Sequence, residues 1–215
     1  MKIISYLLCV IFVLIMFKAS YAFQNEPVDF RGIKWGSKAE EYQDLEIVKY
    51  RQNTNDYKVY ERKNDKRKIG DVKIGFIEYK FYKNRFYEAI VDYDWDDRDA
   101  LEKTLTAIYG KGKSEYIGDS RSAERAGKAC DNYNWLGKNV DIKIIKETTS
   151  YAYPVTPESI VFSSYISFTY KPISKQKERD DKIKYDQEYK IKTSKEKEEK
   201  RKREQEMRKK VEKDL

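Results

Sequence analysis

The alternation of apolar and polar residues is strongest between Val72 and Trp95. Aromatic and β-branched residues fill two runs on either side of a short polar centre. In the second run the apolar positions alternate with Glu88, Asp92 and Asp94. A period of two residues is typical of a strand with one buried face. The stretch is therefore predicted to be a long β-hairpin around which the rest of the chain folds.

Two residues define the geometry expected of this hairpin. Asn84 stands at its centre and tolerates the positive φ that a tight turn needs. Beside Gly75 the apolar positions of the first run shift by one residue, which predicts a β-bulge at that point.

The remaining elements are shorter. Apolar spacing predicts a helix over Asp97–Tyr109, ended by Gly110, and a capping box of Ser37 and Glu40 predicts a short helix over Lys38–Gln43. Alternation predicts the following further strands: Phe30–Gly36, Leu45–Tyr50, Tyr57–Arg62, Ser114–Ile117, Tyr133–Leu136, Val140–Lys146 and Ser159–Lys171.

The last strand carries one apolar face that is predicted to be buried, formed by Ile160, Phe162, Ile166, Phe168 and Tyr170. Each half of the sequence has a helix followed by strands, in the outline of an α-β-β-β repeat. The predicted class is α+β, a mostly antiparallel sheet with its helices on one face.

The segment 173–215 has a different composition. It contains 17 Lys and Arg and 12 Asp and Glu among its 43 residues. Acidic residues precede basic ones by four positions, as at Glu198 and Lys202 and at Glu199 and Arg203, which stabilises a helix. A long, charged, solitary helix is favoured, and partial disorder and a coiled coil are the alternatives.

The first 22 residues have the layout of a secretory signal peptide. An apolar run from Ile3 to Phe17 follows a basic start, and small residues precede a cleavage site between Ala22 and Phe23. An uncleaved anchor is the rival interpretation, but Lys18 ends the run before it reaches the length of a membrane-spanning helix. The predicted organisation is a signal peptide at 1–22, a globular domain at 23–172 and the charged tail at 173–215. No stable membrane span is expected after cleavage.

Charge and composition exclude several functions. The chain has a net charge of +8, but the tail and the two lysines of the leader supply all except +1 of it, so residues 23–172 carry no basic excess for nucleic acid. The sequence contains no histidine, which removes Ser-His and Cys-His nucleophile pairs and most catalytic zinc sites. After cleavage Cys130 is the only cysteine, so the exported domain has no internal disulfide.

Four short motifs carry a family resemblance. They are FRGIKWG at Phe30–Gly36, KIG at Lys68–Gly70, LTAIYGKG at Leu105–Gly112 and YNWLG at Tyr133–Gly137. Together they resemble a group of uncharacterised exported bacterial proteins that open with an F-R-G-I-x-W-G motif. The resemblance implies a shared fold and brings no assigned activity and no catalytic residues.

The acidic run that follows the hairpin is a candidate calcium site. Asp92, Asp94 and Asp96 alternate, and oxygen ligands of this kind suit calcium, although the EF-hand pattern fails because Asp97 stands where glycine is required. The alternative is that Asp92 and Asp94 face solvent while Asp96, Asp97 and Asp99 cap the next helix and complement its dipole. We favour this second interpretation and predict no cofactor and no metal.

The candidate contacts for a partner are Trp35, Trp95, Trp135 and Cys130. The three tryptophans suit either a stacking platform or the edges of the core, and the core is favoured. Cys130 ends Gly118–Asp131, a stretch without bulky apolar residues that is predicted to be a long loop. A buried or unpaired thiol is favoured there over one that cross-links two chains.

These patterns favour an exported, periplasmic or extracellular, non-catalytic domain that binds a protein or an envelope component. One alternative is a carboxylate-dependent hydrolase acting on cell-wall glycan, and another is an inhibitor of a secreted protein. The oligomeric state stays open.

Overall fold

The computed structural model describes residue 23 and residues 25–118, 127–150 and 160–213. The chain divides into two compact units, Met1–Ser174 and Lys175–Leu215. The helices are α1 (Arg98–Tyr109) and α2 (Lys171–Lys213), and 3-10 turns lie at Ala39–Glu41 and Trp95–Asp97. The strands are β1 (Asp29–Phe30), β2 (Ile33–Lys34), β3 (Leu45–Ile47), β4 (Tyr57–Arg62), β5 (Lys68–Ile69), β6 (Val72–Tyr82), β7 (Arg85–Tyr93), β8 (Lys113–Ile117), β9 (Gly127–Leu136), β10 (Val140–Ser150) and β11 (Ile160–Tyr170).

Nine of the described strands form one antiparallel sheet, and the predicted α+β class is confirmed. The order along the sheet is β3-β4-β6-β7-β11-β10-β9-β8, and β5 pairs with the start of β6. The first half of the unit thus supplies one side of the sheet and the second half the other. The last strands of the two halves, β7 and β11, lie next to each other at the centre.

The central hairpin has the predicted turn and the predicted bulge. Lys83 and Asn84 form the turn with φ of 46° and 59°, which is the backbone form that matches the twist of a two-residue hairpin. The register between β6 and β7 shifts beside Gly75. A Cβ on Gly75 would lie 2.1 Å from Asp92 Oδ2, so the side chain of Asp92 occupies the space that the glycine leaves open. A further shift beside Phe81 was not predicted.

Helix α1 covers one face of the sheet. Leu101 and Leu105 are buried against the strands, and Gly110, with a φ of 82°, ends the helix as predicted. On the sheet, Ile142, Ile144 and Ile166 have no exposed surface and form the centre of the same core. The core therefore lies between the sheet and α1.

The motif FRGIKWG is not one strand, as predicted, but a small hairpin of β1 and β2. Arg31 and Gly32 make its turn with φ of 52° and 81°, and Asp29 Oδ1 accepts a hydrogen bond from the Gly32 N–H at 3.0 Å. Phe30 and Ile33 are buried in the core. The motif therefore attaches the start of the domain to the sheet.

The predicted helix at Lys38–Gln43 is a single 3-10 turn, and its cap lies one residue later than predicted. The backbone N–H of Lys38 donates to Glu41 Oε1 at 2.9 Å. Glu40 instead accepts hydrogen bonds from the Asn84 amide at 2.8 and 3.0 Å, and these bonds lower the pKa of Glu40. Glu40, which the local pattern assigned to the cap, thus contacts the hairpin turn instead.

Two predictions about the second half are wrong. Residues 127–131 belong to β9 rather than to the predicted loop Gly118–Asp131. Phe162 was predicted to be buried, but 60% of it is exposed, whereas Phe168 is buried as predicted. The reason is that β7 pairs with β11 only as far as Tyr165, and Phe162 lies beyond that point. The side chain of Ile160 lies outside the described part.

The charged tail forms the predicted helix as part of α2. Within the unit that begins at Lys175, two expected ion pairs are present, Glu198 with Lys202 at 2.7 Å and Glu199 with Arg203 at 3.7 Å. The hydrogen bond from Lys202 lowers the pKa of Glu198. A coiled coil stays a prediction. Among the described residues, no helix is both long enough and apolar enough to cross a membrane.

Candidate functional site

The strand register places the side chains of the sheet on two opposite faces. In antiparallel sheets, directly paired residues point to the same side. Val91, Ile166, Ile144 and Tyr133 form one such row across four strands, and all are buried beneath α1. The adjacent row on the other side, which we call the outer face, contains Ile90, Ser167, Lys143 and Asn134.

Part of the sheet extends beyond the core. β10 and β11 remain paired as far as Ser150 and Ile160, whereas β7 reaches only to Tyr165 of β11. We call residues 127–131, 146–150 and 160–164, which continue past that point, the distal ribbon. The N-terminal end of α1 contacts its base, where Arg98 Nη2 donates to Asp131 Oδ1 at 3.0 Å.

A partly exposed aromatic cluster lies where α1 begins and the distal ribbon leaves the core. The rings of Trp95 and Phe162 meet edge to face, with centroids 5.1 Å apart. Lys146 Nζ lies 4.1 Å from the centroid of the Trp95 ring, within cation–π distance. We call Trp95, Lys146 and Phe162 the aromatic patch. It points to the same side of the sheet as α1, because Lys146 and Phe162 alternate in step with the buried Ile144 and Ile166.

The chemistry of the aromatic patch suits recognition of a protein. Tryptophan is among the residues that contribute most of the binding energy at protein interfaces, and aromatic residues are enriched there. In the free chain 60% of Phe162 is exposed to solvent. Lys146 holds the indole of Trp95 in place, so less side-chain freedom is lost on binding. The patch is small, and it would form the centre of an interface rather than all of it.

The other two predicted tryptophans lie elsewhere. Trp35 stacks on Phe86 with centroids 4.7 Å apart, and its Nε1 donates to Pro27 O at 2.9 Å. Trp135 is 1% exposed, and its Nε1 donates to Gly110 O at 2.7 Å, at the end of α1. The structure therefore does not bring the three tryptophans together.

Cys130 is half-buried and forms no disulfide. It pairs with Glu147 across β9 and β10, and its Sγ lies 3.5 Å from Glu147 Oε2. By the alternation of β9 its side chain points to the outer face, whereas the aromatic patch lies on the opposite side. Cys130 and Trp95 are thus separated by the sheet.

Acidic residues at the end of β7 and just after it line a cleft of about 730 Å³, and its wall includes Asp92, Asp94, Asp96 and Asp97. This volume is within the range typical of ligand pockets. Asp94, rather than the predicted Asp96, caps the 3-10 turn, because it accepts a hydrogen bond from the Asp96 N–H at 3.1 Å. Asp94 faces solvent as predicted, whereas Asp92 is partly buried. Burial, followed by the charges of Asp94 and Glu78, raises the pKa of Asp92. Among the described residues, no three acidic or cysteine side chains are close enough together to hold a metal ion.

Phe23, the first residue after the predicted cleavage site, packs edge to face on Tyr109 with centroids 5.6 Å apart. Ala22 lies outside the described residues. Close by, Glu26 accepts hydrogen bonds from the backbone N–H groups of Lys138, Asn139 and Val140. The start of the predicted mature chain is thus attached to the turn between β9 and β10.

Sequence patterns missed a buried polar cluster beside the core. Asp65 pairs with Arg31 Nη1 at 2.6 Å and accepts a hydrogen bond from the Tyr79 hydroxyl at 2.5 Å. Burial, followed by the hydrogen bond to Asp65, raises the pKa of Tyr79. These contacts join the β1–β2 hairpin to β6, so the cluster has a structural role. Sequence patterns also did not identify Lys146 and Phe162 as contact residues. The length of the last predicted strand was the only sign that its end extends beyond the core.

Comparison of the chain with protein-family models, with curated proteins and with solved structures finds no match. Function is therefore inferred from the geometry of the chain itself.

Proposed function

We propose that this protein is an exported, non-catalytic domain of the bacterial envelope that binds a protein partner through its aromatic patch. The observation that carries the proposal is the exposed Phe162 packed on Trp95, on the same side of the sheet as α1 but beyond the part of the sheet where the core is buried. An aromatic ring exposed to this extent costs free energy in water, and a protein surface that covers it recovers that free energy.

The apolar leader and the absence of histidine support the export and the non-catalytic role. The leader has the layout of a cleaved signal, and the side chains of the aromatic patch bring together an indole, a phenyl ring and an ammonium group. Such a combination favours binding by packing and cation–π contact, and it contains no nucleophile with an adjacent base.

Site-specific photo-crosslinking tests the proposal. A benzophenone side chain at position 162 is expected to crosslink one protein when the exported chain is produced in its own envelope. Val161 provides the matched control, because it neighbours Phe162 in sequence, is 46% exposed and points to the opposite face. Crosslinking of the same product from both positions would contradict a partner bound at the aromatic patch.

The crosslinked protein then allows an affinity measurement. Phe162→Ser is expected to weaken binding about 30-fold, since losing a buried phenyl contact costs about 2 kcal/mol at an interface centre. Val161→Ser removes a neighbouring exposed apolar side chain from the opposite face and is expected to change binding less than threefold. Equal effects of the two substitutions would refute the assignment.

The second candidate function is a hydrolase acting on cell-wall glycan, which the acidic cleft favours. Asp92 combines a raised pKa with a position in this cleft, as a general acid does. Release of glycan fragments by the purified protein, abolished by Asp92→Asn, would establish this alternative over the binding domain.

A further inference from the structure

Strand β8 forms an open edge of the sheet. Among the described residues, β9 is the only strand that pairs with it. All five residues from Lys113 to Ile117 are exposed, and 62% of Tyr116 is accessible. Alternate residues of an edge strand direct their N–H and C=O groups away from the sheet, where another strand can pair with them.

The side chains of β8 alternate between the two faces. Lys113 and Glu115 pair with Asn134 and Asn132 and point to the outer face. Asn134 Nδ2 donates to Glu115 Oε2 at 3.0 Å, which holds the carboxylate in position next to the open edge. Ser114 and Tyr116 point to the other side, where α1 lies.

We infer that β8 pairs antiparallel with β8 of a second copy of this chain, about a two-fold axis that passes through Ser114. An axis perpendicular to the sheet keeps α1 of both copies on the same side, and it requires one residue to lie opposite itself. When that residue is Ser114, Lys113 lies opposite Glu115 of the second copy, and the same pair forms again by symmetry. Charges of opposite sign at directly paired positions stabilise an antiparallel pair of strands.

The same register places Tyr116 opposite Gly112 of the second copy. Gly112 is held close to Tyr133, since a Cβ on it would lie 2.4 Å from that ring. A tyrosine from the second copy covers the bare backbone of this glycine, an arrangement that stabilises sheets. Ser114 lies opposite Ser114, and paired hydroxyl side chains form cross-strand hydrogen bonds.

The neighbouring registers lack this complementarity. An axis through Glu115 places two carboxylates opposite each other, and like charges in that position are destabilising. An axis through Tyr116 places Glu115 opposite the apolar Ile117. The charges of β8 therefore select Ser114 as the centre of the pairing.

Charge reversal tests the inference on the chain that begins at Phe23. Sedimentation equilibrium at low salt is expected to show a monomer–dimer equilibrium. Lys113→Glu and Glu115→Lys should each weaken dimerisation at least tenfold, because each creates two like-charge pairs. The double variant should regain the parental dissociation constant. Lys103→Glu, on the exposed side of α1, changes the charge equally and should leave dimerisation unaltered.

Mixing the two single variants gives a stricter test. One variant then presents two acidic residues on β8 and the other two basic residues, so a heterodimer should form although each variant alone is monomeric. A parental chain that stays monomeric, or a dimer that is indifferent to these charges, would overturn the inference. Capture of a strand from a different protein at β8 in place of the second copy would overturn it as well.

Disulfide trapping measures the register directly. In a Cys130→Ser background, Ser114→Cys should oxidise to a covalent dimer, because residues directly opposite in adjacent strands lie within disulfide distance. Lys103→Cys should not. This outcome is independent of the proposed function, since Phe162→Ser leaves β8 unchanged and should leave dimerisation unaltered. Failure of Ser114→Cys to cross-link would refute the register.

Discussion

Replacing Tyr79 by phenylalanine removes one hydroxyl from the buried polar cluster beside the core. Tyr79 has no exposed surface, and its hydroxyl donates to Asp65 at 2.5 Å. The ring is retained, so no large cavity forms. Asp65 keeps its ion pair with Arg31 but loses a donor in a site where its side chain is only 11% exposed.

The size of the effect follows from the charge of the acceptor. A hydrogen bond to a charged group contributes about 1.5–3 kcal/mol to stability. A buried carboxylate that loses a donor is also penalised, because water does not fully replace that donor. We therefore expect Tyr79→Phe to lower the free energy of unfolding by about 2 kcal/mol. In a chain of this size, each kcal/mol of lost stability lowers the Tm by about 2–4 °C.

Urea unfolding followed by tryptophan fluorescence measures this change. Tyr116→Phe provides the control, because 62% of that residue is exposed and its substitution should alter the free energy by less than about 0.5 kcal/mol. Asp65→Asn completes a double-mutant cycle, in which the effects of Tyr79→Phe and Asp65→Asn should not add. Additive effects, or a loss below 0.5 kcal/mol for Tyr79→Phe, would refute the reasoning.

Two further predictions follow from the site. Asp92→Asn should raise the free energy of unfolding at pH 7 but not at pH 3. The raised pKa of Asp92 means that the folded state disfavours the ionised carboxylate. The parent protein therefore loses stability as the pH rises through that pKa, and the asparagine variant does not. Urea unfolding at both pH values measures the difference in stability, and an equal gain at pH 3 would contradict the burial of the Asp92 carboxylate as its cause. Trp135→Phe should cost about 1–3 kcal/mol, because the smaller ring leaves space in the core at a residue that is 1% exposed and because Gly110 O loses its donor. Trp95→Phe is the matched control for thermal unfolding, and an equal loss there would count against a special role of Trp135.

Local patterns were sufficient for the elements whose geometry depends on near neighbours in the chain. Alternation located the hairpin, Asn84 located its turn, and the phase shift beside Gly75 located a bulge. Spacing of three and four residues located α1, and Gly110 marked its end. The charged tail was recognised as a helix for the same reason, since i to i+4 pairs act within one segment.

The candidate site depended on contacts between distant segments. Phe162 has the same alternation as Phe168, yet only Phe168 is covered, because β7 ends before it reaches Phe162. Alternation identifies which face of a strand is apolar, but the extent of the neighbouring strand and helix determines where that face is buried. The pairing of Asp65 with Tyr79 and the open edge at β8 arise in the same way. Burial and strand order are properties of the packed sheet, and no periodicity within a single segment encodes them.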